Sequence, residues 1–423
     1  MFKFIHVADI HLDSPLKGLE QYEGAPVEEI RGATRRALEN LVELAIEREV
    51  DFVLIAGDLY DGDWKDHNTG LFFVSQMSRL RQTEIPVVMI SGNHDAANKM
   101  TKSLRLPDNV ELLSHTRPQT AKSGKLRELG VAVHGRSFAK AAEYENLVRD
   151  YPERQSGLYN IGLLHTSLAG AEGHEPYAPC TVDELRQKQY DYWALGHVHN
   201  REIKCDDPPV VFCGNPQGRH IREVGAKGCY LVSVDDDGRA ELDFQPLDVF
   251  RWEACDVDMT DAQHADHVLE LFAAELSQLT RKHAGIPLAV RVIVTGSTDA
   301  HERLVADPVA WTNHLRATAL DIAAGSVWIE TVKFRTSPPL GRDVATPVDG
   351  PIGELVRYVH ELRDDELQLA ELAEELADLR RKLPDDLTRG EEALVADNPD
   401  RLRQWLAEVE PMLLHRLTEA IGQ

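Results

Sequence analysis

Five short stretches of the chain end an apolar run in residues able to bind a metal or move a proton. "FIHVADIHLDS" leaves Asp9 and His11, "LIAGDLYDG" leaves Gly57-Asp58, and "VMISGNHDA" leaves Gly92-Asn93-His94-Asp95. "IGLLHTS" leaves His165, and "WALGHVHN" leaves His197 and His199. Singly these are ordinary polar strand ends: Gly-Asp is a common turn, and a lone histidine after a strand commonly just hydrogen-bonds. Together they are a pattern. In an α/β sheet the C-terminal strand ends are where ligand sites assemble, so five such ends predict one shared rim.

Seven of these residues are metal-competent: Asp9, His11, Asp58, Asn93, His165, His197 and His199. That is too many for one tetrahedral zinc. It suits two ions roughly 3.5–4 Å apart sharing a carboxylate, the arrangement that clamps both oxygens of a phosphoryl displacement. Oxygen and nitrogen donors, with an amide and no thiolate, point to Mn²⁺ or Fe²⁺ more than to structural zinc. Asp58 is the natural bridge, with Gly57 allowing the turn that aims both carboxylate oxygens inward. Asp9 and His11, two residues apart, are expected to face one side of an extended strand exit. His6 faces the other way and reads as a hydrogen-bonded core histidine, whereas Asp13 falls in the turn towards Pro15.

The elements that must position these residues are short. Strands are expected at Lys3–Ala8, Phe52–Ala56, Val87–Ile90, Val131–His134, Ile161–Leu164, Tyr192–Leu195, Val210–Cys213 and Tyr230–Val234. Helical spacing appears near Arg31–Arg48 and Gly70–Arg81, which makes residues 1–250 an α/β domain. Residues 251–336 suggest a small α/β module: helices at Ala262–His283 and Ala310–Ala323, strands at Leu288–Val294 and Ser326–Lys333. "RTSPPLGRDVATPVDGP" reads as a linker, about 337–350. From 351 to 423 the chain is helical and acidic. Leu355, Leu362, Leu369, Leu376 and Leu383 recur every seven residues, with Leu372 and Leu379 beside them, in a helix that Pro384 ends. A second helix carries Leu402, Trp405, Leu406, Val409, Leu413 and Leu417 on one face. These helices either dock a partner's helices or fold back on their own domain.

Composition narrows the class. With 423 residues, 43% hydrophobic and 28% charged, the chain reads as globular, and it holds no run of ~18 apolar residues that would span a bilayer. Asp9 and His11 interrupt any signal-peptide core. Five cysteines without a CxxC pair argue for a reducing compartment, hence a cytoplasmic, nucleoid-associated protein. A net charge of −25 opposes indiscriminate binding to DNA at long range, although bound cations would reverse the local field.

"FIHVADIHLDSPL", "AGDLYD", "SGNHD", "LGHVH" and "VVFCGNPQGRHIREVGAKGCYLV" together resemble the calcineurin-like metallophosphoesterases, and within them the SbcD-type DNA-repair exonucleases of the YhaO-like branch. The likeness covers roughly the first 250 residues. It implies two mixed β-sheets sandwiched between helices, a four-layer metallophosphoesterase fold, with a small α/β capping domain and a helical C-terminal arm. By the same resemblance Asp9, His11, Asp58 and His199 hold one metal. Asp58, Asn93, His165 and His197 hold the other. His94 stabilises the transition state and helps protonate the leaving oxygen. Asp61 stands where some members carry a second catalytic histidine, and is expected to hydrogen-bond behind the ligands. Asp95 is treated similarly, with a turn-forming role as the alternative.

The site chemistry does not choose the ester. The resemblance implies a DNA exonuclease, with endonuclease activity also in the family's range, working with an SbcC-like coiled-coil ABC-type ATPase and as a homodimer. Lys99, Lys102, Arg105, Arg219 and Arg222 are candidates for backbone-phosphate contacts. The alternatives are a small-molecule phosphodiesterase or nucleotidase, which the acidic balance suits better, and a metal-bound scaffold for the ATPase. A protein phosphatase is disfavoured, because "GDLYDGDW" and "GNHD" stand where such enzymes carry GDxxDRG and GNHE.

Overall fold

The computed structural model describes residues 1–14, 30, 32–61, 67–97, 105–168, 176–260, 262–339, 351–376, 382 and 398–421. It divides into two compact units, Met1–Ala254 with Ala284–Val290, and Cys255–His283 with Arg291–Gln423.

Two six-stranded mixed sheets form the first unit. One has β1 (Phe2–Val7), β2 (Phe52–Ala56), β3 (Val87–Ile90) and β4 (Val110–Leu112) in parallel, with β11 (Gly228–Val234) and β12 (Ala240–Pro246) antiparallel beyond β1. The other runs β5 (Gln119–Thr120), β6 (Val131–Gly135), β7 (Tyr159–His165), β8 (Tyr192–Gly196), β10 (Pro209–Phe212), β9 (Glu202–Asp206). Strand periodicity sorts the side chains between faces. Phe4, Phe52, Leu54, Val88 and Ile90 of the first sheet meet Val133, Ile161, Leu163, Tyr192 and Ala194 of the second in a common core. Phe4 stacks on Phe52 with ring centroids 4.9 Å apart and meets Tyr192 edge-on at 5.3 Å. His6, on the same face as Phe4, spans the sheets, with Nδ1 3.1 Å from the Tyr192 hydroxyl and Nε2 3.1 Å from the Leu195 carbonyl oxygen.

The alternate residues face outward under helices. Ile5, Val7, Val53, Ile55, Val87 and Met89 pack against Leu38, Leu41, Val42 and Ala45 of α1 (Ala33–Glu47) and Phe73, Met77 and Leu80 of α2 (His67–Gln82). Trp193 and Leu195 pack with Leu185 of a helix at Val182–Gln187 on the far side. The result is the four-layer α/β sandwich that the resemblance implies.

In the second unit β14 (Leu288–Ser297) lies between β13 (Arg251–Asp258) and β15 (Val327–Ser337), and helices His267–Lys282 and Pro308–Ala323 pack on each other. β15 takes in the first residues of the expected linker; 340–350 lie outside the described residues. The leucine repeat does not form one helix. It breaks at Asp365 between helices Pro351–Asp364 and Glu366–Glu375, because the Asp365 side chain caps the second by accepting from the Leu367 and Gln368 amides. Leu379, Leu383 and Pro384 lie outside the described residues. The last helix, Pro399–Ile421, packs on both of these and on a short helix at His301–Ala306, and His360 Nε2 lies 2.9 Å from Glu410. These helices fold back on their own unit.

Candidate metal centre

β1, β2 and β3 of one sheet and β7 and β8 of the other deliver their residues to one rim. Strand parity is not what brings Asp9 and His11 there. β1 ends at Val7, and Asp9 (φ 51°), His11 (φ 45°) and Asp13 (φ 57°) are left-handed, a region Asp and His enter more readily than most residues. This irregular exit is tied to the exit of β2: the Asp9 amide donates to the Gly57 carbonyl (3.0 Å), His11 to Asp58 (3.0 Å) and Leu12 to Leu59 (2.8 Å). Asp13 turns away, accepting from Arg35 Nε (2.7 Å) and Thr69 Oγ1 (2.6 Å).

Two glycines let the sheets close on each other. A Cβ on Gly57, itself at φ 96°, would lie 2.5 Å from His165 Nδ1, and one on Gly92 would lie 2.3 Å from Asp58 Oδ1. Larger residues at either place would displace a predicted ligand.

The seven predicted metal residues converge. Asp9–His11–His199, His11–Asp58–His94 and Asp58–His165–His197 each bring one donor atom per residue within 4.8 Å of the others. Asn93 Oδ1 joins the third group, 2.9 Å from His165 Nε2 and 3.2 Å from His197 Nδ1. Asp58 Oδ2 is 3.4 Å from His165 Nε2 and 4.0 Å from His11 Nε2, so one carboxylate touches both clusters. His11 and His199 face each other Nε2 to Nε2 at 3.1 Å.

Hydrogen bonds behind the rings set which nitrogen faces inward. His165 Nδ1 is 2.9 Å from the Ala56 carbonyl oxygen, which can only accept, so that nitrogen carries a proton and Nε2 is left for the cluster. His199 Nδ1 is 2.6 Å from Glu223 Oε1, with the same consequence for its Nε2. Both oxygens of Asp9 accept from the His197 amide at 3.0 Å.

The electrostatics also ask for positive charge here. Burial pushes the Asp9 carboxyl up to about 6 against the pull of His199 and His165. Burial would keep His165 neutral, yet Asp58 and Asp9 lift it to about 9. Asp58 is held far below the usual carboxylate range, with burial outweighed by His165 and His94. Buried carboxylates among imidazoles with lone pairs converging are a donor set that fits divalent cations, and Asp58 is placed to be shared.

His94 stands at the open side of the cluster. Its amide donates to Asp58 Oδ1 (2.9 Å), and its Nδ1 pairs with Asp61 Oδ1 (2.8 Å). Burial lowers the basicity of the ring, but Asp61 and Asp58 raise it further, for a net rise. Asp61 also accepts from Ser14 Oγ (2.5 Å). Asp95 touches no predicted ligand side chain in these bonds; it accepts from the Leu59, Tyr60 and Gly92 amides at 2.9–3.1 Å and pins the β2 exit to the β3 exit. That is the turn-forming role.

Of the candidate phosphate contacts, Lys99 and Lys102 lie outside the described residues, and Arg105 and Arg222 are exposed. Arg219 is mostly buried within the site, NH2 3.1 Å from Glu223 and NH1 3.7 Å from Asp61. Glu223 is the residue that sequence reasoning passed over. It lies among basic neighbours in "GRHIREVG", where its burial was not legible, and its proximity to His199 is a tertiary contact.

A family model described as calcineurin-like phosphoesterase matches residues 2–201, and one described as the middle domain of metallophosphoesterase YhaO matches residues 252–337. The chain belongs to the calcineurin-like metallophosphoesterase family, and its activity is that of a metallophosphoesterase. It is similar to an uncharacterized metallophosphoesterase YhaO of Bacillus subtilis (strain 168), 36% identical over 295 residues, which covers 70% of this chain and 72% of that one. It is also similar to a DNA double-strand break repair protein Mre11 of Sulfurisphaera tokodaii, 28% identical over 248 residues, 56% of this chain and 60% of that one. The crystal structure of TT1561 of Thermus thermophilus covers 57% of this chain and 98% of its own at 13% identity, with a TM-score of 0.34 too low to carry an argument. No described helix is long and apolar enough to cross a membrane.

Proposed function

We propose that the chain is a two-metal DNA phosphodiesterase, an exonuclease by its resemblance to SbcD-type enzymes. Asp9, His11, Asp58 and His199 hold one ion, and Asp58, Asn93, His165 and His197 the other, with Mn²⁺ the best match to the donors. The observation that carries this reading is the Asp58 carboxylate, which lies within reach of both histidine clusters. When bound, two divalent ions supply the positive charge that polarises a phosphoryl group and makes water acidic enough to attack it. The chain's own part is then positional. Asp61 holds the His94 ring by Nδ1, which leaves the ring's outer edge to meet the ester, and the raised basicity of His94 lets it carry a proton for the leaving oxygen.

The choice of DNA draws on the Mre11 relative, whose name is that of a DNA double-strand break repair protein. Residues 251–336 serve in this reading as a capping domain and 351–423 as the arm that docks a coiled-coil ABC-type ATPase, in a cytoplasmic complex. A tail deletion that leaves co-purification with such an ATPase unchanged removes that part.

The experiment is Mn²⁺-dependent degradation of linear duplex and single-stranded DNA by wild type, His94→Ala and Asp58→Ala. Wild type should cut DNA and both variants should fail. A small-molecule phosphodiesterase is the second reading, favoured by the charge of −25 and by Arg219 being engaged with Glu223 and Asp61. Cleavage of bis-p-nitrophenyl phosphate or cyclic nucleotides, but never DNA, decides for it.

A further inference from the structure

We propose that Glu223, together with Arg219, is a positioning device for the metal centre, one that ties His199 to the Asp61–His94 pair. The proposal rests on the two-metal reading above and deepens it.

Glu223 is 3% exposed and sits under the rim, in the loop between β10 and β11. Donors converge on its two oxygens: His199 Nδ1 at 2.6 Å and Arg219 NH2 at 3.1 Å on Oε1, Asn215 Nδ2 at 2.8 Å and the Arg219 amide at 2.8 Å on Oε2. A carboxylate can accept all of these and donate to none, so the His199 proton is fixed on Nδ1 and its Nε2 lone pair is aimed at His11 and Asp9. The same loop secures the His199 backbone: Lys227 Nζ (3.1 Å) and the Asn215 amide (3.3 Å) both donate to the His199 carbonyl oxygen.

Arg219 extends the link. One end of its guanidinium bonds Glu223, and the other lies 3.7 Å from Asp61 Oδ2, whose second oxygen pairs with His94. A planar, permanently charged fork suits this span between two carboxylates, which a lysine ammonium would serve only as a point charge. The imidazole aimed at a metal and the imidazole aimed at the substrate are thus oriented by carboxylates that share one arginine. Arg219 belongs to this framework rather than to an outward phosphate contact.

The test uses the full chain stripped with a chelator, titrated calorimetrically with Mn²⁺, and assayed on bis-p-nitrophenyl phosphate over a range of Mn²⁺ concentrations. Glu223→Gln should weaken one of two Mn²⁺ sites by about tenfold to a hundredfold, the scale for losing a partner behind a metal-bound histidine. The other site and the KM for substrate should stay within about twofold, and raising Mn²⁺ should restore most of kcat. Arg219→Lys, a milder change if Glu223→Gln folds poorly, should lower kcat and weaken the same site. Wild-type affinities and kcat in both variants would overturn the proposal while the two-metal reading stands. A wild-type chain that binds fewer than two Mn²⁺ would overturn that reading, and this proposal with it.

Discussion

The His94 amide donates to Asp58 Oδ1 at 2.9 Å, so the acid shared by the two clusters and the histidine facing the substrate belong to one rigid turn. Asp58 therefore does two jobs: it offers Oδ2 to His165 and His11, and it sets where the next strand's exit starts. Asp58→Ala should lose more than metal. Binding of both Mn²⁺ ions falls, and hydrolysis falls by about a thousandfold or more, on the scale of removing a preorganised charge-stabilising group. Calorimetry and rate measured on the same preparation check this.

His94 makes a different prediction, because it lies on the substrate side. His94→Ala should keep both Mn²⁺ sites and lose about 10²–10⁴ in kcat on an ester whose leaving oxygen needs a proton. On bis-p-nitrophenyl phosphate, whose leaving group departs as a stable anion, the loss should be much smaller. Equal losses on the two substrates would rule out a proton-donating role.

Gly92→Ala tests how closely the two sheets approach. The added methyl would start 2.3 Å from Asp58 Oδ1 and 2.7 Å from His165 Cε1, so the two side chains must part. Mn²⁺ binding should weaken although no ligand has changed. The circular dichroism of the folded variant should match wild type.

His6 gives a pH dependence distinct from the metal residues. Burial drives its pKa down from 6.5 to about 3, with the Leu195 carbonyl bond only partly opposing it. The folded chain keeps the ring neutral, whereas the unfolded chain protonates below 6.5. Stability from this group is therefore present above 6.5 and lost as pH falls towards 3, at about 1.4 kcal/mol per pH unit. His6→Gln is less stable at pH 7. The gap to wild type, followed by urea unfolding, should narrow by about 2 kcal/mol between pH 6.5 and pH 5.

Much of this was legible in the sequence, because the chemistry sits where short apolar strands stop. Asp58, Asn93, His165, His197 and His199 are each anchored directly behind a buried strand, and no longer-range knowledge is needed to gather them. The Asp9–His11 geometry was not legible, since left-handed backbone at non-glycine residues leaves no mark on a spacing pattern. Exposed edge strands were missed for another reason. β9 and β12 are rich in charge, show no apolar run, and exist because β10 and β11 offer them a ladder. The break at Asp365 escaped because a leucine repeat continues across it, and the capping side chain competes locally with the helix.

Asp9, His11, Asp58 and His197 all hold positive φ, at 51°, 45°, 50° and 99°. Each such residue costs about 1 kcal/mol or more relative to an ordinary backbone, a cost that glycine would avoid. The rim is thus a sprung region inside an otherwise relaxed sandwich, and a chain selected for durability alone would soften it. Loading cations onto those side chains sets the spring. Heat, acid or a chelator should release it here first, long before the paired sheets beneath give way.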